Sequence, residues 1–572
     1  MKNLRWLLLL TGLLGGLAAA PAARAQATGA RRYFVYFRDK AGSPYSTGQP
    51  QQFLSARALT RRSRQGIAVK PRDLPVNPAY VAQVRAVAGS PQVLYTSRWL
   101  NGAAVVCDSL TMGRVLQLPS VQSSRPLSLQ APVAPLPAAA PAPTVPVAAR
   151  PTGTRTDYGR AWAQSQLIGA VAAHDAGYRG ENMQVAVFDA GFPGANTIGA
   201  LQLMRQQGRI ASTRNFVDGG TSVYLRNSHG TNCLGLIGGE LTGSYLGTAP
   251  HATFHLCITE DVNSEYPMEE ANWLAAAEYA DSAGVDVISS SLGYTTFDKA
   301  SLSHTYAELN GRTAISSLAA LGAARVGMVV VNAAGNDGNT AWHYIGVPAD
   351  ADSIISVGAV DSLRNKAGFS SYGPTADGRI KPTLAAMGVA SAVLGASGSV
   401  SRGNGTSYAC PELAGLVADF WQANPTLSAQ QVIAALVRSG SQYATPDNSL
   451  GYGIPNFTTA YNLLHPGSPL ATTAAAASAG AAEALAVYPN PTASHNGELT
   501  LALPPTLRGQ ALRVRILDAR GAVVAEQTLA ASAAGATVPL RVPGRSLAPG
   551  TYQCVVRPVG GGSAQVTRFV VQ

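Results

Sequence analysis

Between residues 157 and 465, short runs of apolar residues alternate with stretches whose apolar positions recur at helical spacing. The runs are continuously apolar, as expected for strands with both faces buried. The predicted strands are 184–188, 285–289, 328–331 and 353–358. An amphipathic pattern at 272–283 predicts a helix directly before the second strand. The alternation predicts an α/β fold, in which a parallel sheet carries helices on both faces.

Two smaller patterned segments flank this block. The first, 31–125, mixes strand-like and helix-like runs and predicts a small α+β domain. Its strand-like runs are 33–37 and 102–107, and its helix-like runs are 56–65 and 78–88. The second, 487–572, has short runs of alternating polarity separated by Gly, Pro and Asn, such as 512–517 and 552–556. That pattern predicts a small all-β sandwich.

Composition marks the boundaries between these segments. Lys2 and Arg5 precede a short apolar run, and an Ala-Arg-Ala sequence at 23–25 completes the form of a secretory signal peptide. Stretches dominated by Pro and Ala, or by Ala alone, predict extended linkers. The predicted division is a signal peptide (1–25), an α+β domain (26–125), a Pro/Ala-rich linker (126–156), the α/β block (157–465), an Ala-rich linker (466–486) and the all-β domain (487–572).

The charge is unevenly distributed along the chain. The net charge of +11 by itself would suggest a nucleic-acid partner. However, residues 26–156 carry a net charge of +13, whereas residues 157–465 carry −9. We therefore expect no nucleic-acid partner. The opposite charges are consistent with two segments that face each other, although solubility alone would explain them equally well.

The five cysteines are too few and too scattered for a disulfide scaffold or a Cys-x-x-Cys metal site. More specific chemistry lies at the predicted ends of strands and helices. Asp189 ends a strand, His229 begins a helix of small residues, Asn336 follows a buried strand, and Ser407 lies at a helix N-terminus. Each alone would be a turn or capping residue. Together they supply the carboxylate, imidazole, oxyanion donor and hydroxyl that acyl transfer needs.

The segments around these residues resemble the active-site blocks of the subtilisin-like serine peptidases, or subtilases. The blocks are Phe-Asp-Ala-Gly at 188–191, Ser-His-Gly-Thr at 228–231 and Gly-Thr-Ser-Tyr-Ala-x-Pro at 405–411. Ser-Leu-Gly at 291–293 is similar to the segment that backs the family's substrate cleft. Ala-Ala-Gly-Asn at 333–336 is similar to the segment that carries one wall of the S1 pocket. The resemblance covers residues 157–465 and implies an endopeptidase that cleaves proteins and peptides through an acyl-enzyme intermediate.

The resemblance also implies a role for each matched residue. Ser407 is the nucleophile, His229 the general base and Asp189 the residue that orients it. Asn336 is an oxyanion donor, together with the backbone N–H of Ser407. The implied substrate-binding residues are Ser291, Leu292, Gly293, Ala333, Ala334 and Gly335. Because a neutral imidazole must accept the serine proton, activity is expected to rise between about pH 6 and 8.

Some positions depart from the family pattern. Glu412 stands where the family commonly has His, and Thr383 and Met387 stand where Asp and Pro are usual. No cofactor is expected to be required. Some subtilases bind calcium, but the sequence has no unambiguous ligand cluster, so a calcium site is left open and no metal-binding residue is assigned. No acidic cluster adjoins the two cleft segments, which favours broad or apolar specificity.

The flanking domains fit the same family. The basic domain 26–125 resembles in position and pattern the inhibitory chaperone prodomains of subtilases, and cleavage in the linker would release it. The C-terminal motifs resemble the type IX secretion sorting domain of Bacteroidetes-type bacteria; they lie at 487–491, 516–521 and 547–552. This implies a monomer that is exported and then released or attached to the cell surface. A carbohydrate-binding or adhesive sandwich is the alternative for the C-terminal domain.

Three alternative functions make different demands on the sequence. An esterase of the α/β-hydrolase kind needs Gly-x-Ser-x-Gly, but position 409 is Ala, and only His465 and His495 follow Ser407. A zinc peptidase needs His-Glu-x-x-His, which is absent, and His255 lies in a predicted strand at 253–258. The third is a catalytically inactive, surface-displayed binding protein on a subtilase scaffold, against which the four intact catalytic positions speak.

Overall fold

A computed structural model of the chain describes residues 29–128, 155–470, 485–488, 499–504, 507–531, 537–540, 547–561 and 564–571. The predicted signal peptide and the middle of each predicted linker lie outside these residues. The described residues fold into three parts that follow one another along the chain.

The N-terminal part is the predicted α+β domain. Its strands are β1 (Arg31–Phe37), β2 (Gln92–Ser97), β3 (Gly102–Cys107) and β4 (Val121–Ser128). Its helices are α1 (Ala56–Arg64), α2 (Pro78–Arg85) and α3 (Ser109–Val115). The strands form an antiparallel sheet in the order β2-β3-β1-β4. Strand β4 runs to Ser128, three residues into the predicted linker.

The central part contains a seven-stranded sheet in the order β13-β12-β11-β10-β5-β9-β6, and each pairing in it is parallel. Two short antiparallel pairs, β7-β8 and β14-β15, lie beside it. The strands are β5 (Gln184–Asp189), β6 (Ile210–Asn215), β7 (Glu240–Leu241), β8 (Tyr245–Leu246), β9 (Thr253–Ile258), β10 (Val287–Ser290), β11 (Val329–Ala333), β12 (Ile355–Val360), β13 (Leu384–Met387), β14 (Ser391–Leu394) and β15 (Val400–Gly403).

The helices of the central part cover both faces of this sheet. They are α4 (Arg155–Tyr158), α5 (Trp162–Leu167), α6 (Ala170–Asp175), α7 (Gln202–Gln206), α8 (His229–Gly238), α9 (Met268–Ala283), α10 (Ile315–Arg325), α11 (Thr406–Ala423), α12 (Ala429–Arg438) and α13 (Phe457–Leu464). One buried cluster unites the sheet with α8 and α11, and a second unites it with α9 and α10. The predicted α/β fold is confirmed, because both strand faces are buried beneath helices.

The C-terminal part consists of two antiparallel sheets, β16-β17-β20 and β19-β18-β21-β22. The strands are β16 (Ala486–Tyr488), β17 (Leu499–Ala502), β18 (Leu512–Leu517), β19 (Val523–Leu529), β20 (Thr537–Leu540), β21 (Gly550–Pro558) and β22 (Gln565–Val571). Apolar residues from both sheets form one buried cluster, so the predicted all-β class is confirmed. In the part of the chain that the structure describes, no helix is long and apolar enough to cross a membrane.

The N-terminal domain packs against α9 of the central part through a buried ionic cluster. Asp281 on α9 accepts hydrogen bonds from Arg62 Nη2 at 2.7 Å, from Arg98 Nη2 at 2.6 Å and from Arg61. Glu278, one turn earlier, accepts from the backbone N–H of Arg98 at 2.8 Å. Phe34 joins the same buried cluster as α9 and α10. The basic domain and the acidic block therefore face each other.

Candidate active site

Asp189 and His229 form a hydrogen-bonded pair at the carboxyl end of the sheet. Asp189 is the last residue of β5 and is fully buried, and one of its oxygens accepts the backbone N–H of Ala190 at 2.8 Å. His229 is the first residue of α8, and its Nδ1 lies 2.9 Å and 3.0 Å from the two Asp189 oxygens. A carboxylate that accepts from Nδ1 leaves the opposite nitrogen, Nε2, as the acceptor for a proton.

A glycine allows α8 to approach β5 this closely. A Cβ atom on Gly230 would lie 2.4 Å from the carbonyl oxygen of Gly191 and 2.9 Å from Cβ of Asp189. Both distances are shorter than a carbon atom tolerates, so a larger residue at 230 would push the helix away from the strand. The Gly in the Ser-His-Gly-Thr block therefore holds His229 within reach of Asp189.

The surroundings of His229 favour its charged form. Burial works to lower the pKa of the imidazole, whereas the neighbouring Asp189 carboxylate and Cys233 side chain raise it, and the net result is a pKa of His229 well above its usual value. The side chain is 29% exposed, so it still reaches the cleft. The imidazolium that forms during acyl transfer would be stabilised by this carboxylate.

Ser407 is the second residue of α11, close to His229 but turned away from it. The Ser407 hydroxyl donates to the carbonyl oxygen of Ser291 at 3.3 Å. Among the described residues, no hydrogen bond joins Ser407 to His229, although the ring of Tyr408 lies 5.8 Å from the imidazole. The Ser407–His229 hydrogen bond that proton transfer needs is therefore not formed here, and it requires the Ser407 side chain to rotate away from Ser291.

Asn336 is oriented by the residue next to Ser407. Its Oδ1 accepts from the backbone N–H of Thr406 at 2.9 Å and from the Thr406 hydroxyl at 3.0 Å. Because Oδ1 of Asn336 accepts these two hydrogen bonds, Nδ2 of the same amide points away from Thr406. Among the residues that the structure describes, Nδ2 has no hydrogen-bond partner. The backbone N–H of Ser407 lies in the first turn of α11, where amide groups lack acceptors within the helix. Two donors are thus available beside the serine.

A pocket of about 270 Å³ adjoins Ser407 and Asn336. Five of the six predicted substrate-binding residues line it, namely Ser291, Leu292, Gly293, Ala333 and Gly335. The sixth, Ala334, does not line it, because its side chain is fully buried in the core and its backbone N–H donates to Val357 at 3.0 Å.

Sequence reasoning missed two acidic residues of this pocket, Glu260 and Glu265. They belong to the loop that follows β9, whose end lies beside Asp189 in the parallel register. The position of acids directly after a predicted strand at 253–258 was the signal that could have identified them. Their presence removes the reason for expecting broad or apolar specificity, which was that no acidic cluster adjoins the cleft.

Two groups of side chains within the described ranges have the spacing of metal ligands. The first is Asp189, His229 and Cys233, whose Sγ lies 3.7 Å from Nδ1 of His229. Its Asp and His already bond to each other, and burial raises the pKa of the Cys233 thiol, which disfavours the thiolate that a metal needs. The second is Glu260, Glu265 and Glu269.

Glu412, the residue that departs from the family pattern, is fully buried in α11. Neither of its carboxylate oxygens has a hydrogen-bond partner within the described part of the chain. Burial raises the pKa of Glu412 well above its usual value, which favours the neutral carboxyl group. All five cysteines, which lie in described segments, are buried and unpaired.

Two family patterns match different parts of the chain. The subtilase family pattern matches residues 180–453, and that of the Bacteroidota peptidase S8 propeptide domain matches residues 32–137. Among solved structures, MycP1 from Mycobacterium smegmatis is 21% identical over 54% of this chain and 86% of that chain, with a TM-score of 0.42.

Two curated subtilisins are similar to the central part. Subtilisin of Bacillus pumilus is 32% identical over 51% of this chain and 96% of its own length. Subtilisin DY of Bacillus licheniformis is 33% identical over 46% of this chain and 86% of its own length. Identity at this level across most of a relative shows that this chain belongs to the subtilase family of serine peptidases, with an N-terminal S8 propeptide domain.

Proposed function

We propose that the protein is a secreted endopeptidase that hydrolyses peptide bonds through Ser407, His229 and Asp189. The hydrogen bonds from His229 Nδ1 to Asp189 carry this proposal, because they orient an imidazole whose other nitrogen is free to act as a base. Ser407 and two oxyanion donors lie at the same end of the sheet. No cofactor takes part in the proposed reaction.

The reaction begins when the Ser407 hydroxyl rotates toward His229. Nε2 of His229 takes its proton as Oγ attacks the carbonyl carbon of the substrate, and the negative charge moves to the carbonyl oxygen. Asn336 Nδ2 and the Ser407 N–H donate to that oxygen. The C–N bond then breaks, and His229 gives its proton to the departing amine. A water molecule, activated by His229, hydrolyses the acyl-enzyme and frees Ser407.

Hydrolysis of casein by the purified protein, after removal of the N-terminal domain, tests this function. We expect the parent protein to hydrolyse casein and Ser407→Ala to be slower by at least about 10³-fold. Asn404→Ala, an exposed change three residues before the serine, serves as the control and should retain activity. Equal rates for parent and Ser407→Ala would reject the nucleophile. An inactive but folded parent would favour the surface-displayed binding protein.

The N-terminal domain supplies an intramolecular inhibitor in this proposal. Its contacts with α9 through Asp281 support docking in cis, and cleavage in the predicted linker 126–156 releases it. N-terminal sequencing of active material checks the release. We expect the sequence to begin within or after the linker, and a start at Gln26 in active protein would contradict it.

The C-terminal domain is proposed to direct type IX secretion, after export by the signal peptide. Its two antiparallel sheets and the motifs at 516–521 and 547–552 support this assignment. Deletion of 487–572 should leave the protein in the periplasm of its native host. Unchanged amounts at the cell surface or in the medium would favour the carbohydrate-binding or adhesive alternative. The secreted enzyme is proposed to act as a monomer, without a nucleic-acid partner.

A further inference from the structure

Acidic side chains line the pocket beside Ser407. Ser407 and Asn336 identify it as a substrate pocket on chemical grounds that do not depend on this charge. The acidic residues that line it are Glu260, Glu265 and Asp337. Its other walls include Leu292 and Ala333, which offer apolar contact next to the carboxylates. The lining of the pocket thus combines apolar surface with carboxyl groups.

These carboxylates lack a cation of their own. Glu260 accepts from the hydroxyl of Tyr294 at 3.1 Å, and within the described residues neither Glu260 nor Glu265 forms an ion pair. Oxygens of these two residues lie within 4.8 Å of each other and of Glu269. Burial and like charge raise the pKa of Glu260 to about 8 and that of Glu265 to about 7. A cation placed here would relieve this repulsion.

Neighbouring arginines do not neutralise the group. Arg226 is held by Asp218 and by Asp261, which lies 3.0 Å from its guanidinium. Arg32 belongs to the N-terminal domain, and the acidic residues that act on it are Asp261, Asp218 and Glu269, none of which lines the pocket. Neither arginine therefore pairs with Glu260 or Glu265 beside the nucleophile.

We infer that this pocket selects lysine or arginine at P1, the substrate residue whose carbonyl Ser407 attacks. Glu260 and Glu265 are the specificity-determining residues: they receive the cationic head, while Leu292 and Ala333 contact the aliphatic stem. The inference names the substrate class of the proposed endopeptidase, so it rests on the proposed function.

The test compares peptides that differ only in charge at P1. The processed enzyme is given matched peptides with arginine, citrulline, lysine, norleucine or leucine at P1, and mass spectrometry locates each cut. We expect kcat/KM for arginine to exceed that for citrulline by about 10²-fold or more, as for other desolvated charge pairs. Cleavage after leucine or norleucine at rates equal to those after arginine and lysine would overturn the inference.

Variants then assign the preference to the pocket. Glu260→Gln and Glu265→Gln should each lower the arginine-to-citrulline ratio by at least about tenfold, and the double variant, in which Asp337 remains, should lower it further than either single variant. The ratio is internal to each protein, so partial loss of folded enzyme does not affect it. Asp377→Asn, in a distant turn where Asp377 pairs with Arg379, is the matched control and should keep the parental ratio. An unchanged ratio in the double variant would also overturn the inference.

A failure of the proposed function can be told apart from a failure of this inference. If leucine and arginine peptides are cut equally well by the parent and not by Ser407→Ala, the endopeptidase stands and only the specificity is wrong. If no peptide is cut and a serine-directed fluorophosphonate does not label the processed protein, the proposed function fails, and the inference falls with it.

Discussion

Nδ1 of His229 lies 2.9 Å from Oδ1 of Asp189, which is fully buried at the end of β5. Burial opposes the charge on His229, but Asp189 and Cys233 together raise the pKa of the imidazole well above 6.5. Only the neutral imidazole can take the Ser407 proton. We therefore predict that kcat/KM rises with pH to a midpoint well above 6.5, the ordinary pKa of an imidazole. Rate profiles on one peptide from pH 5 to 10 measure it.

The Asp189→Asn variant tests whether the Asp189 carboxylate causes this rise in the pKa of His229. Without the carboxylate, the pKa of His229 should fall, so the midpoint of the profile should move to lower pH, and kcat should drop by about 10³- to 10⁴-fold. Asp352→Asn, an exposed change in the same domain, should alter neither the midpoint of the pH profile nor kcat. A midpoint that stays in place in Asp189→Asn would contradict the assigned cause of the shift.

Asn336 is predicted to act on the transition state more than on substrate binding. Asn336→Ala removes one of two donors to the oxyanion and should lower kcat by about 10²- to 10³-fold with little change in KM. Asn339→Ala, three residues later and also exposed, is the control and should leave both constants near the parental values. Steady-state kinetics on a single peptide separate the two constants. A rise in KM alone would mean that Asn336 only shapes the pocket.

The ionic cluster at Asp281 is predicted to hold the N-terminal domain in place. The contacts of Arg98, Arg61 and Arg62 keep the pKa of Asp281 below its usual value despite its burial. Asp281→Asn would take this counter-charge from the buried Arg61 and Arg98, while Arg62 keeps its ion pair with Asp73, at a cost of about 3–5 kcal/mol, or at least about 10²-fold in affinity. In a Ser407→Ala background, the linker is cut by an added protease and the two parts are separated by gel filtration.

We expect the N-terminal domain to elute with the catalytic part in the parent and in Asp352→Asn, and to separate in Asp281→Asn. Co-elution in all three proteins would show that the apolar contacts alone hold the domain. That result would contradict the prediction, because the N-terminal domain would then stay bound to the catalytic part without the ion pairs between its arginines and Asp281.

Glu412 is predicted to make stability fall as pH rises. Its folded pKa is raised, and the unfolded value is near 4.3, so the folded state binds the extra proton between these two values. In that window, the free energy of unfolding falls by up to about 1.4 kcal/mol per pH unit. Glu412→Gln should lack this contribution, so its Tm relative to the parent should rise between pH 5 and pH 9. Calorimetry in the Ser407→Ala background avoids self-digestion, and parallel curves would refute the prediction.

Much of the fold could be predicted because the apolar runs are long and both faces of the strands are buried. The runs at 184–188 and 328–331 fall within or beside β5 and β11. Helix α9 instead begins at Met268, four residues before the predicted start, because Glu269 and Glu270 look polar in sequence yet are buried. Glu270 accepts from the backbone N–H and hydroxyl of Ser316, a partner that local periodicity does not reveal.

Less of the candidate site than of the fold could be predicted from the sequence. Residues at strand and helix ends, such as Asp189 and His229, were found because their position along an element is visible in sequence. The acidic wall of the pocket was missed because Glu260 and Glu265 reach Ser407 only through the parallel pairing of β9 with β5. The orientation of the Ser407 hydroxyl toward Ser291 could not be predicted from the sequence either, because it depends on a side-chain torsion.

Covalent labelling of the processed protein by a serine-directed fluorophosphonate tests the central claim most directly. The account predicts one adduct per molecule, located by peptide mass spectrometry on Ser407, formed faster as His229 loses its proton and absent in Ser407→Ala. A folded, processed protein that takes up no label, or takes it up at another serine, would contradict the claim that Ser407, His229 and Asp189 act together as a catalytic triad.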